Sequence, residues 1–412
     1  MSVHKDVVII GGGPAGLAAA VMLRQMGLRD IVILEREEHL GGILRQCIHD
    51  GFGLTRFGES LSGPEYAQRF IDQADALGVP SITEASVLHL DADRHVIAAT
   101  RDGLLEFEAG AVVLAMGCRE RTRGAIAIPG ERPAGIYTAG VAQAYINLHN
   151  FMVGKEVVIL GSGDIGMIMA RRLTLEGAKV KAVLELLPYP SGLPRNVAQC
   201  LDGYDIPLHV SHTVVNIKGQ PRLKAVTVAR VDEAQRPVPG TEFDIACDTL
   251  ILSVGLIPEN ELSLEAGVAL DSRTRGPEVD EYFRTSVPGI FAAGNVLQVH
   301  DLVDFVSLEA ERLADSVVRY LDGKLPAPGS LEIRANEEIG YVLPRRISGQ
   351  DDFMLSLRVR RPMKNCELRV RQGERMIKSL KFRRAIPAEM IRLPISVRDL
   401  APQEPLNVGV VC

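Results

Sequence analysis

The chain has 412 residues, 46% of them hydrophobic and 24% charged, which excludes a disordered or collagen-like polymer and leaves room for roughly two to four domains. It lacks Trp and has only 5% aromatics, so its cores must be built from Val, Ile, Leu and Ala. The formal net charge of −6 argues against a whole-chain nucleic-acid binder, which carries a basic excess.

The first segment, Val7 to Leu23, is an uncharged run of 17 residues. A membrane span needs about 20. The run also holds Gly11, Gly12, Gly13, Pro14 and Gly16, which suit a turn better than a continuous apolar helix. A soluble, cytoplasmic protein without a membrane span is the expectation.

Residues 5–35 recur, without a gap, at residues 155–185. Gly11, Gly13 and Gly16 match Gly161, Gly163 and Gly166, and Glu35 matches Glu185. Each copy predicts a buried parallel strand (Val7–Ile10, Val157–Leu160), a glycine turn, a helix closed at Gly27 or Gly177, and a second strand (Ile31–Leu34, Val180–Leu184). That order suits a dinucleotide. The first glycine permits the tight turn, the second lets backbone approach a pyrophosphate, and the third lets helix pack on strand. The pyrophosphate sits on the positive end of the helix. The acid, 19 positions after the third glycine in both copies, can accept from ribose hydroxyls. The competing reading makes both glutamates solvated strand-end acids.

Between the copies lies the loop Gly41–Gly53, with Gly42, Arg45, Cys47 and His49. Cys47 could meet a cofactor or simply pack. Arg45 or His49 could hold an acidic substrate or move a proton, or be ordinary loop residues. Two apolar runs end in glycine, Ala111–Gly117 and Thr249–Gly255, and each would complete a nucleotide domain. Cys118 reads as packing. Further on come Thr285–Asn295, TSVPGIFAAGN, then His300, Asp301 and Asp304, where a helix should begin with Asp301 as its cap.

From Pro326 the pattern alternates. Leu355, Leu357 and Val359 interleave with Ser356, Arg358 and Arg360, and Cys366, Leu368 and Val370 with charged residues. Period-two alternation predicts strands with one wet face, hence a small antiparallel β domain over 326–412. This tail carries 16 Lys/Arg and 10 Asp/Glu, while residues 1–325 carry 30 and 42. A solvated sheet face is the plain reading of the basic tail. Nucleic-acid binding and docking of an acidic partner subunit are the others, and the acidic whole speaks against nucleic acid.

The six cysteines show neither C-x-x-C nor C-x4-C spacing, and no Cys/His cluster has metal-ligand spacing. No metal and no disulfide framework are expected.

Together the two glycine units and the TSVPGIFAAGN stretch resemble the two-dinucleotide-domain flavoproteins, the pyridine nucleotide–disulfide oxidoreductase superfamily, over about residues 5–325. The resemblance implies an α/β fold of two Rossmann-like three-layer domains, with the NAD domain inserted in the FAD domain. It divides the chain into 1–122 and 257–325 for FAD, 123–256 for NAD(H), and 326–412 for the C-terminal β domain. It assigns Gly11, Gly13, Pro14, Ala15, Gly16, Glu35, Arg36, Gly42, Ala115, Gly117, Gly294 and Asn295 to FAD. It assigns Gly161, Gly163, Asp164, Ile165, Gly166, Glu185 and Gly255 to NAD(H). Where the family places an Asp after its AAG, this chain has Asn295, whose amide still hydrogen-bonds. Leu186, Leu187 and Pro188 follow Glu185 where NADP sites place arginines, so NAD(H) is expected over NADP(H).

The absent cysteine pair argues against thioredoxin, lipoamide or glutathione reduction. The stretch Pro129–Gln143 resembles flavoprotein subunits of sarcosine, opine and related amine-oxidising dehydrogenases. Gly41–Gly53 and Asn295–Glu309 resemble a flavoprotein of glycerol-3-phosphate-type dehydrogenase systems. The leading expectation is an FAD-dependent oxidoreductase passing hydride between NAD(H) and flavin. It would act on a small-molecule substrate or with a partner dehydrogenase subunit, in an oligomer or hetero-complex. An amine, opine or hydroxy-acid dehydrogenase subunit with a weak NAD site, and a non-enzymatic flavin-binding sensor, are the alternatives.

Overall fold

A computed structural model describes residues 2–401 and 404–412. The chain divides into two compact units, residues 1–118 with 258–412, and residues 119–257.

The first unit starts with β1 (Val3–Ile10), α1 (Pro14–Gln25) and β2 (Ile31–Leu34). It continues through β3 (Ser86–Leu90), β4 (His95–Thr100) and the long β5 (Gly103–Leu114). These lie in a seven-stranded sheet ordered Ser81–Ile82, β2, β1, β5, β4, β3, with Ile290–Ala292 added beside β5. β1 pairs in parallel with both β2 and β5, whereas β3, β4 and β5 form an antiparallel meander. The unbroken apolar run Val7–Ile10 at the end of β1 follows from burial on both faces. Val7 and Ile9 enter one core with α1, and Val8 and Ile10 enter another on the far side.

The second unit repeats the plan with β6 (Glu156–Leu160), α2 (Asp164–Leu175) and β7 (Lys179–Glu185). Its five-stranded parallel sheet runs Ile136–Thr138, Thr249–Leu252, β6, β7, Leu208–Val210. A separate three-stranded antiparallel sheet spans His212–Lys218, Ala225–Arg230 and Phe243–Ala246.

The chain then returns to the first unit and forms α3 (Val303–Leu321). Ala310, Leu313, Ala314 and Val317 of α3 share a core with Ala15, Ala18, Ala19 and Val21 of α1. The alanines let the two helices approach closely. The α/β architecture thus matches the expectation from sequence.

The tail folds into two sheets around one core that includes Leu355, Leu357, Cys366, Leu368 and Val370. The larger has the order Arg346–Ile347, Leu331–Ala335, Leu406–Val411, Met363–Gln372, Arg375–Ala385. The smaller has Ile339–Leu343, Phe353–Val359 and Ile391–Ile395. All pairings are antiparallel except Leu331–Ala335 with Leu406–Val411, which is parallel. Alternation reports which face of a strand is wet, not its direction, so the parallel pair was invisible to the sequence.

Asp301 does not cap α3. The position before the helix is Leu302, with no side-chain cap. The Asp301 carboxylate instead accepts from the Arg358 guanidinium of the tail at 3.2 Å, with side-chain exposures of 9% and 15%. Arg358 also donates to the carbonyls of Val299, Pro387 and Ala388. Removing one member of a buried pair strands the other charge. Arg358→Met should therefore cost about 3 kcal/mol, read as a lower thermal unfolding midpoint. A midpoint equal to wild type would show that this pair carries no stability.

Candidate functional site

The glycine turn after β1 is built by close approach. Gly11 has φ +109°, and a Cβ there would collide with the Ala115 carbonyl oxygen at the end of β5. A Cβ on Gly16 would strike the carbonyl oxygen of Gly11. The second unit repeats both constraints: Gly161 has φ +100° and abuts the Ser253 carbonyl, and Gly166 abuts Gly161. Pro14 and Ala15 open α1, whose N-terminus has no side-chain cap and no acid in its first turn. That leaves a bare positive helix end, with Gly13 at the N-cap and open space beside it limited only by Gly42.

Glu35 follows β2 and is buried. One carboxylate oxygen accepts from the Gly12 N–H at 2.7 Å and the other from the Glu37 N–H at 2.9 Å. A carboxylate offers about four acceptor positions, so each oxygen keeps one for a further donor. Arg36, next along, is exposed and lies 3.8 Å from Glu37. Gly117 follows β5 with φ +71°.

Gly294 and Asn295 sit in a short 3-10 turn ahead of α3. The Asn295 amide donates to the Cys118 sulfur at 3.7 Å, and its oxygen accepts from the His300 N–H at 3.0 Å. His300 Nε2 lies 3.3 Å from Glu309, which also accepts from Gly294 N–H and from the Gln298 amide. Burial alone would raise the Glu309 carboxyl. The His300 charge and these hydrogen bonds outweigh it and hold the group below the usual carboxylate range.

Sequence reasoning missed Glu309 and Gln298. Two acids on the buried stripe of α3, Asp304 and Glu309, were the available signal. Asp304 accepts from the backbone N–H groups of Gly53, Thr55 and Arg56, and so ties the loop at its C-terminal end to α3.

Within that loop, Gly42–Gln46 forms a 3-10 turn that carries Arg45. His49 stacks beside Phe52 with ring centroids 4.9 Å apart and meets the Asp50 carbonyl at 3.2 Å. Cys47 donates its S–H to the Ile43 carbonyl at 3.3 Å. Burial pushes its thiol up to about 12, so it is protonated at neutral pH. Among the described residues, none of the six cysteines is in a disulfide.

The second glycine turn differs in its surroundings. Glu185 is buried, and its Oε2 accepts from Ser162 N–H at 3.0 Å, Ser162 Oγ at 2.5 Å and Ser191 Oγ at 2.8 Å. Its Oε1 accepts from Leu187 N–H at 2.9 Å. Asp164 stands in the first turn of α2 and accepts from Leu193 N–H and the Asn196 amide, both at 2.7 Å. The segment Ser191–Asn196 therefore lies on this turn, with Gly192 N–H bonded to the Ser162 carbonyl. Gly163 is the N-cap of α2, Ile165 is partly buried, and Gly255 has φ +101°.

Residues 5–311 match the family described as pyridine nucleotide-disulphide oxidoreductase. The chain belongs to that family. It is accordingly an FAD/NAD(P)-dependent oxidoreductase, which sets the non-enzymatic sensor reading aside. It is 28% identical over 348 residues to the glutamate synthase [NADPH] small chain of Escherichia coli, covering 77% of this chain and 69% of that one. It is 27% identical over 317 residues to an opine oxidase subunit of Agrobacterium tumefaciens, covering 72% and 62%. Among solved structures it resembles thioredoxin reductase of T. acidophilum, with TM-score 0.64, 26% identity, and 78% and 99% coverage. Among the described residues, no helix of this family member is long and apolar enough to cross a membrane.

A thiol at about 12 exposes roughly one thiolate in ten thousand at pH 8. Iodoacetamide should therefore leave Cys47 unmodified at pH 8 while it labels the exposed Cys412. Rapid labelling of Cys47, read by peptide mass, would instead mark a reactive thiol.

Proposed function

We propose that this chain is the flavoprotein subunit of a dehydrogenase complex, holding FAD in its first unit and a pyridine nucleotide in its second. The observation that carries the reading is the Glu35 carboxylate. It is fixed by two backbone N–H groups with an acceptor position left on each oxygen, beside the uncapped N-terminus of α1. Such an acid fits an adenosine ribose, and such a helix end fits a pyrophosphate. In this reading Gly11, Gly13, Pro14, Ala15, Gly16, Gly42, Ala115, Gly117, Gly294 and Asn295 surround FAD, with Arg36 at its rim.

When bound, FAD supplies two-electron chemistry that no side chain of this protein provides. The residues bind and orient. Glu35 takes hydroxyl protons as hydrogen bonds, α1 stabilises phosphate charge, and the Asn295–His300–Glu309 network holds the turn before α3. In that network His300 Nε2 faces Glu309 at 3.3 Å. Arg45 and His49 are the side chains of the loop whose chemistry suits an acidic substrate.

For the second unit, Glu185 and the apolar Leu186 and Leu187 favour NAD(H), since an acid repels a 2′-phosphate. The relative from Escherichia coli carries NADPH in its name, so the two nucleotides form the test. Anaerobic NADH should bleach the flavin absorbance near 450 nm with a kcat/KM at least about tenfold above that of NADPH, a difference of about 1.4 kcal/mol. A ratio favouring NADPH reverses the nucleotide assignment. Gly161→Val should abolish this bleaching and retain FAD, and loss of FAD would exchange the two sites.

A second reading has its own observation. Glu185 already accepts four donors, and Asp164 already occupies the positive end of α2. Both weaken a dinucleotide there and favour a flavoprotein whose flavin is reduced by an amine, opine or hydroxy acid. Two relatives are named as subunits of opine oxidase and of hydrogen cyanide synthase. Ser191→Ala removes one of the three donors crowded on Glu185 Oε2. It should lower the KM for NADH several-fold if the serine competes with the ribose, and an unchanged KM removes this argument.

A further inference from the structure

The meander of the first unit gathers metal-binding side chains far from the glycine turn. β3 and β4 form an antiparallel hairpin, closed by Arg94 N–H to the Asp91 carbonyl at 3.2 Å and Asp91 N–H to the His95 carbonyl at 3.3 Å. His89, Asp91 and His95 each offer a ligand atom, all within 4.8 Å of one another and all half-buried. The Asp91 carboxylate is already aimed. Its Oδ1 accepts from the His95 N–H at 2.9 Å, and its Oδ2 lies 3.9 Å from His89 Nε2.

The outer partner is also in place. His89 Nδ1 lies 2.6 Å from Glu265 Oε1. A carboxylate on the far nitrogen fixes the tautomer and ring plane of a metal-bound histidine and raises its basicity. The cation of the hairpin turn is engaged elsewhere, because the Arg94 guanidinium donates to the carbonyls of Ala109 and Pro288 at 3.1 Å each. Glu108 faces His95 across the β4–β5 pairing, and His4 faces Glu108 across β1–β5. Directly opposed residues share a sheet face, so the row continues beyond the hairpin.

We propose that His89, Asp91 and His95 bind one divalent transition-metal ion of the zinc class, with Glu265 orienting His89. Two imidazoles and a carboxylate suit Zn(II), Ni(II) or Co(II) and not the all-oxygen shells of Mg(II) or Ca(II). Ligand atoms around zinc stand about 3.3 Å apart, given bonds of about 2.0–2.2 Å. Closing the cluster needs only rotations of half-exposed side chains.

The glycine turn follows Ile10, whereas His4 lies six residues earlier on the same strand, about 20 Å away along β1. The ion therefore takes no part in flavin chemistry. It would pin the hairpin to the segment carrying Glu265. The three ligands fall within the seven residues 89–95, and the hairpin pairing, which the interval alone does not reveal, turns them onto one sheet face.

The test uses the tag-free, flavin-loaded full chain, stripped with chelator and dialysed against zinc chloride or magnesium chloride at neutral pH. Metal is then counted by atomic emission. One zinc per chain and no magnesium are expected, with release in acid as the imidazoles protonate. The double variant His89→Gln/His95→Gln should lose the zinc with unchanged flavin absorbance. Asp91→Asn keeps the Oδ1 bond to His95 but removes the charge, and should bind at least about tenfold more weakly. Glu265→Gln should weaken binding by about tenfold. No zinc on the wild type, or equal zinc on the double variant and on Asp91→Asn, overturns the site.

Discussion

One steric constraint recurs through this molecule: a glycine pressed against the carbonyl of a neighbouring strand end. Gly11 meets Ala115, and Gly161 meets Ser253, each at a positive φ that side chains rarely adopt. The chain can turn from strand to helix within three residues only because no Cβ stands there. Once the turn is that tight, the helix must lie flat on the sheet, and Gly16 or Gly166 removes the last obstacle. Both faces of β1 and β6 are then covered. That coverage is why Val7–Ile10 and Val157–Leu160 read as continuous apolar runs.

The two copies share a scaffold but not an electrostatic state. The first presents an uncapped helix end and a carboxylate with spare acceptor capacity. The second presents Asp164 at the helix end and a carboxylate surrounded by hydroxyl and amide donors. Helix-end charge and acceptor capacity are what a dinucleotide site offers. The two copies therefore share the backbone turn and differ in their local polar groups.

The glycine turns, the strands flanking them and the terminal glutamates were legible because each rests on a local rule with a fixed spacing. Asp301 was not legible. An acid just before a helix matches a capping pattern, and only the distant Arg358 shows that it serves the tail. Cys47 gave no signal of its burial, since its neighbours Gln46, Ile48 and His49 mix polar and apolar character. Glu309 and Asp304 stood on a helix whose apolar stripe should have excluded acids, and their partners come from residues 15 and about 250 positions away. Pairings of that range leave no periodicity to read. The wet face of the tail was visible, but strand direction depends on connection paths that alternation does not encode.

The ion pair between Asp301 and Arg358 has a consequence for how the first unit comes apart. Arg358 lies on a strand in the middle of the smaller tail sheet, and Asp301 immediately precedes the helix that closes the α1 core. Arg392 of the same sheet lies 4.2 Å over the ring of Phe305 in that helix. Opening the tail would strand a buried carboxylate beside the Asn295–His300 turn, so the tail cannot loosen without penalising the core around α1 and α3. The tail and the α1–α3 core are thus joined by charge as well as by packing, within one compact unit.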